Sequence, residues 1–468
     1  MLMNINQYLI ILCALFVGHW ASAQLPTPKP NFIFYLSDDH DMLDYGSYGN
    51  SKVYTPAVDR LASEGLRFTK SYTAQAICAP SRSQLYTGTY PFKNGCIANH
   101  LPSKPTINSV TDYLKELGYE VILAGKSHVG PDDVYHWTHY WPSGKKRELP
   151  FDAIEAYLEN AQGPFCMFIA SEYPHAPYPE KTKYSADRIQ QHAYESDIPL
   201  FKGGYYENIE TDNEQLQRVL ALVDQYGLRD STVFIYASDH SISGKFSVKE
   251  KGLRVPLIIR WPGKIKPGQT NANYVGMVDV VPTFIEIAGG TAPDYLDGKS
   301  FLNLIEGEKL ENHQYIYGIA THQNIRNSNV FPSRMIISAR ENFKLIKNFN
   351  SLEVYRQNLG DDPAVNAFIK RGAEAFPEVP YEELYDLNND PFEQRNLAKV
   401  KRYQKLKRKL SDQLQQWMEE QGDFLAVPGA MPLIKPTAHS LDQNSQWQHI
   451  PAELVGALKE DVYIELHY

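Results

Sequence analysis

Positive charge is in short supply in this chain of 468 residues: 46 Lys and Arg face 55 Asp and Glu, for a formal net charge of −9. A general nucleic-acid binder needs a basic face to displace counterions, so that class is excluded, while a small basic pocket for an anionic substrate is not. Long apolar runs are also missing. The one candidate, "YLIILCALFV" (residues 8–17), is too short to span a bilayer. Followed by Ala21-Ser22-Ala23, it has the pattern of an export signal, so residues 1–23 are expected to be removed and the mature protein to be secreted or periplasmic. Internal repeats and low-complexity tracts are absent. Cysteine is scarce: of four, Cys13 leaves with the signal, and Cys78, Cys96 and Cys166 stay. An odd number in an oxidising compartment marks either a special thiol or a buried one. A Cys96–Cys166 disulfide and two buried free thiols are both open.

What is present is ordinary for a soluble globular protein, with 43% hydrophobic and 22% charged residues. The length suits one large α/β unit with an appendage, or two to three domains. Continuous apolar runs at Phe32–Leu36, Phe165–Ser171 and Ser231–Ser238 read as central strands buried on both faces. Val255–Gly263 supplies another strand, and helical patterns at Thr55–Gly65, Val110–Gly118 and Glu214–Tyr226 alternate with the strands. Beyond Pro332, "RMIISARENFKLIKNF" alternates like two antiparallel strands, and Lys399–Gln421 reads as a charged helix. The expected division is a signal at 1–23, a catalytic domain at 24–332, and a smaller C-terminal subdomain with terminal helix and tail at 333–468.

In an open α/β sheet, ligands sit beyond the carboxyl ends of the strands. Three of the strands end there in acidic or histidine clusters: Asp38-Asp39, "EYPHAPYP" and Asp239-His240. Adjacent carboxylates repel one another and call for a cation, although a single Asp-Asp pair alone reads as a cap or solvated loop. Three carboxylates with little sulfur nearby favour a hard ion such as Ca²⁺. Cys78 opens "ICAPSRSQLYTG". With a helix starting near Pro80, the cysteine sits at the helix mouth, and Arg82 lies four residues on, on the same face. That arrangement suits an anionic group. Lys126 and Lys245 taken singly read as surface charges, and His128 and His175 as satisfied loop histidines. His100, His136, His322 and Arg334 lie in segments that could equally line a substrate pocket or not. The aromatic stretch Val134–Gly144 could stack on sugars or form a buried cluster.

Cys78-Ala79-Pro80-Ser81-Arg82 with "SQLYTG" resembles the Cys-x-Pro-Ser-Arg signature of the type I sulfatases. "PNFIFYLSDDH", "GYEVILAGKSHVG", "YPHAPY", "ASDHS" with "KEKGLRVPLIIRWPG", and "ELYDLNNDPFEQRNLA" resemble further motifs of that family, so the likeness spans nearly all of the mature chain. "AGKSHVGPDDVY" and the region from "THQN" to "FPSRMIISARENFKLIKN" are similar to its heparan N-sulfatase (sulfamidase) branch. The resemblance implies an alkaline-phosphatase-like α/β sandwich, with a large mixed central sheet flanked by helices and a smaller C-terminal α+β subdomain carrying an antiparallel sheet. It implies that a maturing enzyme converts Cys78 to formylglycine, whose hydrate is the nucleophile. Asp38, Asp39, Asp239 and His240 would bind Ca²⁺ together with residue 78. Some relatives have asparagine where His240 stands. Arg82 and Lys126 would hold the diol and sulfate oxygens, and His128 would take a proton when the sulfated intermediate collapses. His175 and Lys245 would face the leaving group, with Lys249 or Lys251 as the alternative to Lys245. Apart from the resemblance, His100, His322 and Arg334 are the expected substrate contacts among the residues of pocket-lining segments.

The function this implies is a secreted, calcium-dependent sulfatase acting on a sulfated saccharide. An O-sulfate ester cleaved in exo mode is favoured over an N-sulfate. The competing expectations are a phosphatase or phosphodiesterase on the same scaffold, which would use zinc with serine or threonine, and a catalytically silent carbohydrate-binding protein in which Cys78 stays a thiol.

Overall fold

The computed structural model describes residues 29–308, 312–321, 332–349 and 379–426. The expected signal, His322 and the tail beyond 426 lie outside the described residues. Strand β1 (Asn31–Asp38) is buried along all eight residues, as a continuous apolar run predicts. Its side chains alternate between the faces: Phe32, Phe34 and Leu36 enter one core, Ile33 and Tyr35 the other. The remaining strands of the large sheet are β2 (Leu66–Tyr72), β3 (Glu120–Gly125), β4 (His139–Trp141), β5 (Phe165–Pro174), β6 (Thr232–Ser238), β7 (Arg254–Arg260) and β8 (Gln269–Gly276). They run in the order β4-β3-β5-β1-β6-β7-β2-β8. Only β7 runs against its neighbours, so the sheet is mixed.

Helices cover both faces. On one lie α1 (Pro56–Glu64), α4 (Phe151–Asn160) and α5 (Lys202–Gln225), over Ile33, Tyr35 and Ile169. On the other lie α2 (Cys78–Thr87), α3 (Val110–Glu116) and α6 (Val280–Ile287), over Phe32, Phe34 and Phe168. Helix α5 begins twelve residues before the expected Glu214. Its first half contains Gly203, Gly204 and several buried polar residues, so its helicity comes from packing rather than from propensity.

The second sheet is antiparallel, in the order β12-β11-β10-β9, built from β9 (Tyr315–Ala320), β10 (Ser333–Ser338), β11 (Phe343–Asn348) and β12 (Glu382–Asp386). Its first strand precedes the boundary expected at 332. Helix α7 (Gln404–Glu420) lays Leu410, Leu414, Trp417 and Met418 on this sheet, a single apolar stripe at helical spacing. Trp417 stacks on Tyr317 with ring centroids 4.5 Å apart. No helix among the described residues is long and apolar enough to cross a membrane. Cys96 and Cys166 are buried free thiols, so no disulfide joins them.

Candidate active site

Four neighbouring strands deliver polar side chains to one edge of the large sheet. In the order β3-β5-β1-β6, their carboxyl ends lead into Lys126, His175, Asp38-Asp39 and Asp239-His240. Parallel register sets Ser37 of β1 beside Ser238 of β6, so the two acidic turns meet. The Asp39 amide donates to Asp239 Oδ1 at 3.0 Å, and Asp39 itself takes a left-handed φ of 64°. Gly125 precedes Lys126 at φ 102°, and a Cβ there would stand 2.1 Å from the Ala170 carbonyl oxygen, so only glycine lets β3 turn against β5. Lys245 reaches the cluster from the loop after β6. That loop lies flat on the following segment at Gly244, where a Cβ would meet the Gly252 amide nitrogen at 2.2 Å.

Cys78 and Arg82 come from α2, every residue of which is buried. Ile77 is fully extended at φ −158°, so the helix opens at Cys78 itself, two residues before the expected start at Pro80. Pro80 still falls in the first turn, where a missing N–H costs nothing. Cys78 Sγ lies 3.4 Å from His240 Nε2 and 3.8 Å from Lys245 Nζ. Arg82 pairs with Asp239 at 3.1 Å, Lys126 Nζ with Asp38 Oδ2 at 2.6 Å, and Lys245 Nζ with Asp39 Oδ2 at 2.9 Å. Three buried carboxylates thus face three cations around one sulfur.

The electrostatics follow from that arrangement. Burial pushes the Cys78 thiol up, but the Lys126 and Lys245 ammonium groups outweigh it and bring the thiol down to about 6. Burial likewise opposes the charge of Asp38, yet Lys126 and Arg82 hold its carboxyl well below the usual range. Burial lifts Asp239 to about 6 despite Arg82. His128 is brought down to about 3 by burial and by the nearby Lys126 and Arg82 charges, so its ring is neutral. His128 Nε2 is 3.1 Å from His100 Nδ1, while its own Nδ1 is buried with no hydrogen-bond partner.

The donor set fits a hard cation. Asp38 and Asp239 converge on Cys78 as one group, and Asp39 and His240 as another, with ligand atoms within 4.8 Å of one another in each. Asp38 Oδ1 is buried with no hydrogen bond and only the Arg82 guanidinium 3.4 Å away, so it has a lone pair free for a bound ion. Three of the four side chains offer carboxylate oxygen, the preference of Ca²⁺, and His240 offers a ring nitrogen.

The other expected residues divide. His175 Nε2 lies 3.5 Å from both Lys245 Nζ and Asp39 Oδ2. His100 joins the rim through His128. Lys249 is engaged by Glu383 and Tyr385 at 2.7 and 2.9 Å, and Lys251 lies over the Tyr194 ring, so neither replaces Lys245. Arg334 is a correction to the expected substrate contacts. It is fully buried, paired with both oxygens of Asp423 and donating to the Ala320 carbonyl, so it ties the second sheet to the end of α7. The aromatic stretch Val134–Gly144 is mostly structural: Trp137 packs edge-on against Tyr86 and Phe168, and Tyr140 alone of its large rings is well exposed. Nothing in the sequence marks Arg147 and Asn208, which hold the loop that carries His175; one sits in a run of surface charge, the other inside a helix.

A family model described as Sulfatase matches residues 30–290, and one described as N-sulphoglucosamine sulphohydrolase, C-terminal, matches residues 238–371. An ulvan-active sulfatase of Formosa agariphila is 51% identical over 455 residues, covering 94% of this chain and 91% of that protein. The N-sulphoglucosamine sulphohydrolase of Homo sapiens is 25% identical over 461 residues, covering 84% and 90%. A solved structure of a protein in complex with its substrate D-glucosamine-2-N,6-O-disulfate shares the fold, with a TM-score of 0.64 at 21% identity over 84% of this chain and 98% of that one. More than half of the chain lies within the first family model, and nearly all of it aligns with a sulfatase at half identity, so this chain belongs to the sulfatase family and is a sulfuric ester hydrolase.

Proposed function

We propose that this sulfatase removes O-sulfate esters from the ends of sulfated polysaccharide fragments of the ulvan type, outside the cytoplasm. Residues 1–23 act as the export signal, a maturing enzyme makes formylglycine from Cys78, and Ca²⁺ is the resident ion. The observation that carries the reaction is the seat of Cys78, at a helix start between Lys245, His240 and a floor of carboxylates. The sugar class is supported by the ulvan-active relative.

Asp38, Asp39, Asp239 and His240 would hold the ion. When present, the ion would supply positive charge at the sulfate, and a hydrated aldehyde at residue 78 would supply a nucleophilic hydroxyl with a second one that allows C–O cleavage. Arg82 and Lys126 neutralise charge that grows on the sulfate oxygens. Neutral His128 would take the proton of the second hydroxyl of residue 78 when sulfate is expelled. His175 Nε2 and Lys245 Nζ, 3.5 Å apart, face the bridging oxygen, and one of them protonates the departing alkoxide.

The test is release of inorganic sulfate from ulvan oligosaccharides by protein whose residue 78 is shown by mass spectrometry to be formylglycine. Cys78→Ala should release none. Absence of release from these and other O-sulfated saccharides, with formylglycine confirmed, overturns the proposal. The match of residues 238–371 to the N-sulphoglucosamine sulphohydrolase C-terminal model favours a second reading, an N-sulfate substrate. Turnover of N-sulfoglucosamine without turnover of O-sulfates would establish it.

A further inference from the structure

We propose that Arg147 is a positioning residue that sets the angle and tautomer of His175; this rests on the reading above that His175 faces the leaving group. His175 follows β5, and its side chain is 35% exposed. On one side its Nε2 meets Lys245 and Asp39 at 3.5 Å; on the other the ring is held by backbone. His175 Nδ1 lies 2.7 Å from the Ala176 carbonyl oxygen, and a carbonyl only accepts, so Nδ1 carries the proton. That leaves Nε2 as the atom that takes a proton from the Lys245 ammonium, 3.5 Å away, and passes it to the leaving oxygen.

One guanidinium shapes this loop. Arg147 Nη1 donates to the carbonyls of His175 at 2.6 Å and of Glu172 and Ala176 at 3.3 Å, and Nη2 to that of Pro177 at 3.3 Å. The Ala176 oxygen that fixes the imidazole tautomer is therefore itself held by Arg147. Asn208 Nδ2 grips the loop from α5, at 3.0 Å to the His175 carbonyl and 3.2 Å to those of Pro174 and Pro177. The Arg147 guanidinium also lies 4.1 Å from the centroid of the Tyr173 ring, whose hydroxyl donates to the Lys146 carbonyl. Lys146 and Arg147 take φ of 58° and 60°, the left-handed region that side chains other than glycine rarely occupy. Such a conformation persists where the surroundings over-determine it, and here it is what aims the guanidinium at four carbonyls. A lysine has the charge but no planar fork to span them.

The experiment compares Arg147→Ala, Arg147→Lys, His175→Ala and the double alanine variant on two substrates, ulvan oligosaccharides and 4-nitrophenyl sulfate, with formylglycine verified in each. Nitrophenolate leaves without help, so only the sugar sulfate needs a proton donor. His175→Ala and both Arg147 variants should lower kcat on the sugar sulfate by about 10²-fold and on the aryl sulfate by no more than about threefold. The double variant should fall no further than His175→Ala. Equal losses on both substrates for Arg147→Ala, beside a selective loss for His175→Ala, would overturn the positioning role alone. No selectivity in His175→Ala overturns the leaving-group reading and this proposal with it.

Discussion

Lys245 shows how one residue's surroundings decide between chemistry and solvation. Its ammonium is buried against both oxygens of Asp39, and burial is outweighed by that carboxylate, so the group stays charged well above its ordinary range. Lys245→Ala should cut kcat about 10²–10³-fold, the cost of losing one donor to developing negative charge. Lys249→Ala, which breaks bonds to Glu383 and Tyr385 instead, should leave kcat near wild type in the same assay. Asp212 carries a different prediction. It accepts hydrogen bonds from Tyr35 and Ser37 at 2.8 Å beneath the acidic turn, and burial lifts its carboxyl to about 6. A folded-state value raised above the unfolded one favours the protonated form in the fold. Its contribution to stability is therefore full below about pH 4 and lost as pH rises through about 6. The stability of wild type relative to Asp212→Asn should drop by about 2–3 kcal/mol between pH 4 and pH 7.5, read by denaturant unfolding of both proteins. A gap that does not change with pH would remove the argument.

Among the elements, those that bring the site together are the ones legible in the sequence. Strands β1, β5 and β6 are central, buried on both faces, and so written as unbroken apolar runs that end in Asp38, Pro174 and Ser238. Strands β2 and β8 escape such a reading because β8 is the edge strand and β2 lies next to it, where "LRFTKSY" and "QTNANYVG" mix polar and apolar residues. The start of α5 was not legible either, since its glycines pack rather than propagate a helix. Arg334 marks the limit for side chains: a charged residue in a strand of alternating pattern gives no sign that its partner, Asp423, lies 89 positions away. Both side chains are fully buried, so Arg334→Ala leaves an uncompensated carboxylate and should cost about 3–5 kcal/mol in unfolding measurements. Arg334→Met with Asp423→Leu should recover most of that loss, because two apolar groups leave no charge stranded. No recovery in the double variant would mean that the pair is held for its geometry and not only for charge balance.

At the scale of the molecule, the site exists only when residues from four stretches, near positions 38, 78, 126 and 239, meet at one sheet edge. An unfolded chain cannot gather those oxygens, so an ion that binds the cluster binds the native state alone and stabilises it by RT ln(1 + [L]/Kd). At free Ca²⁺ of about 100 times Kd this amounts to about 2.7 kcal/mol, a rise of a few degrees in Tm for a protein of this size. Chelation should remove the rise and Ca²⁺ restore it, whereas NaCl at equal ionic strength should not. Asp38→Asn and Asp239→Asn should melt without a Ca²⁺ response, because each deletes a charge from the group around residue 78. Lys249→Ala should keep the response in full. The carboxylates are already balanced by Arg82, Lys126 and Lys245, so the fold does not depend on the ion to cancel their repulsion. Chelated protein should therefore stay folded at room temperature and lose activity first. Unfolding on chelation at that temperature would show instead that the three cations do not suffice.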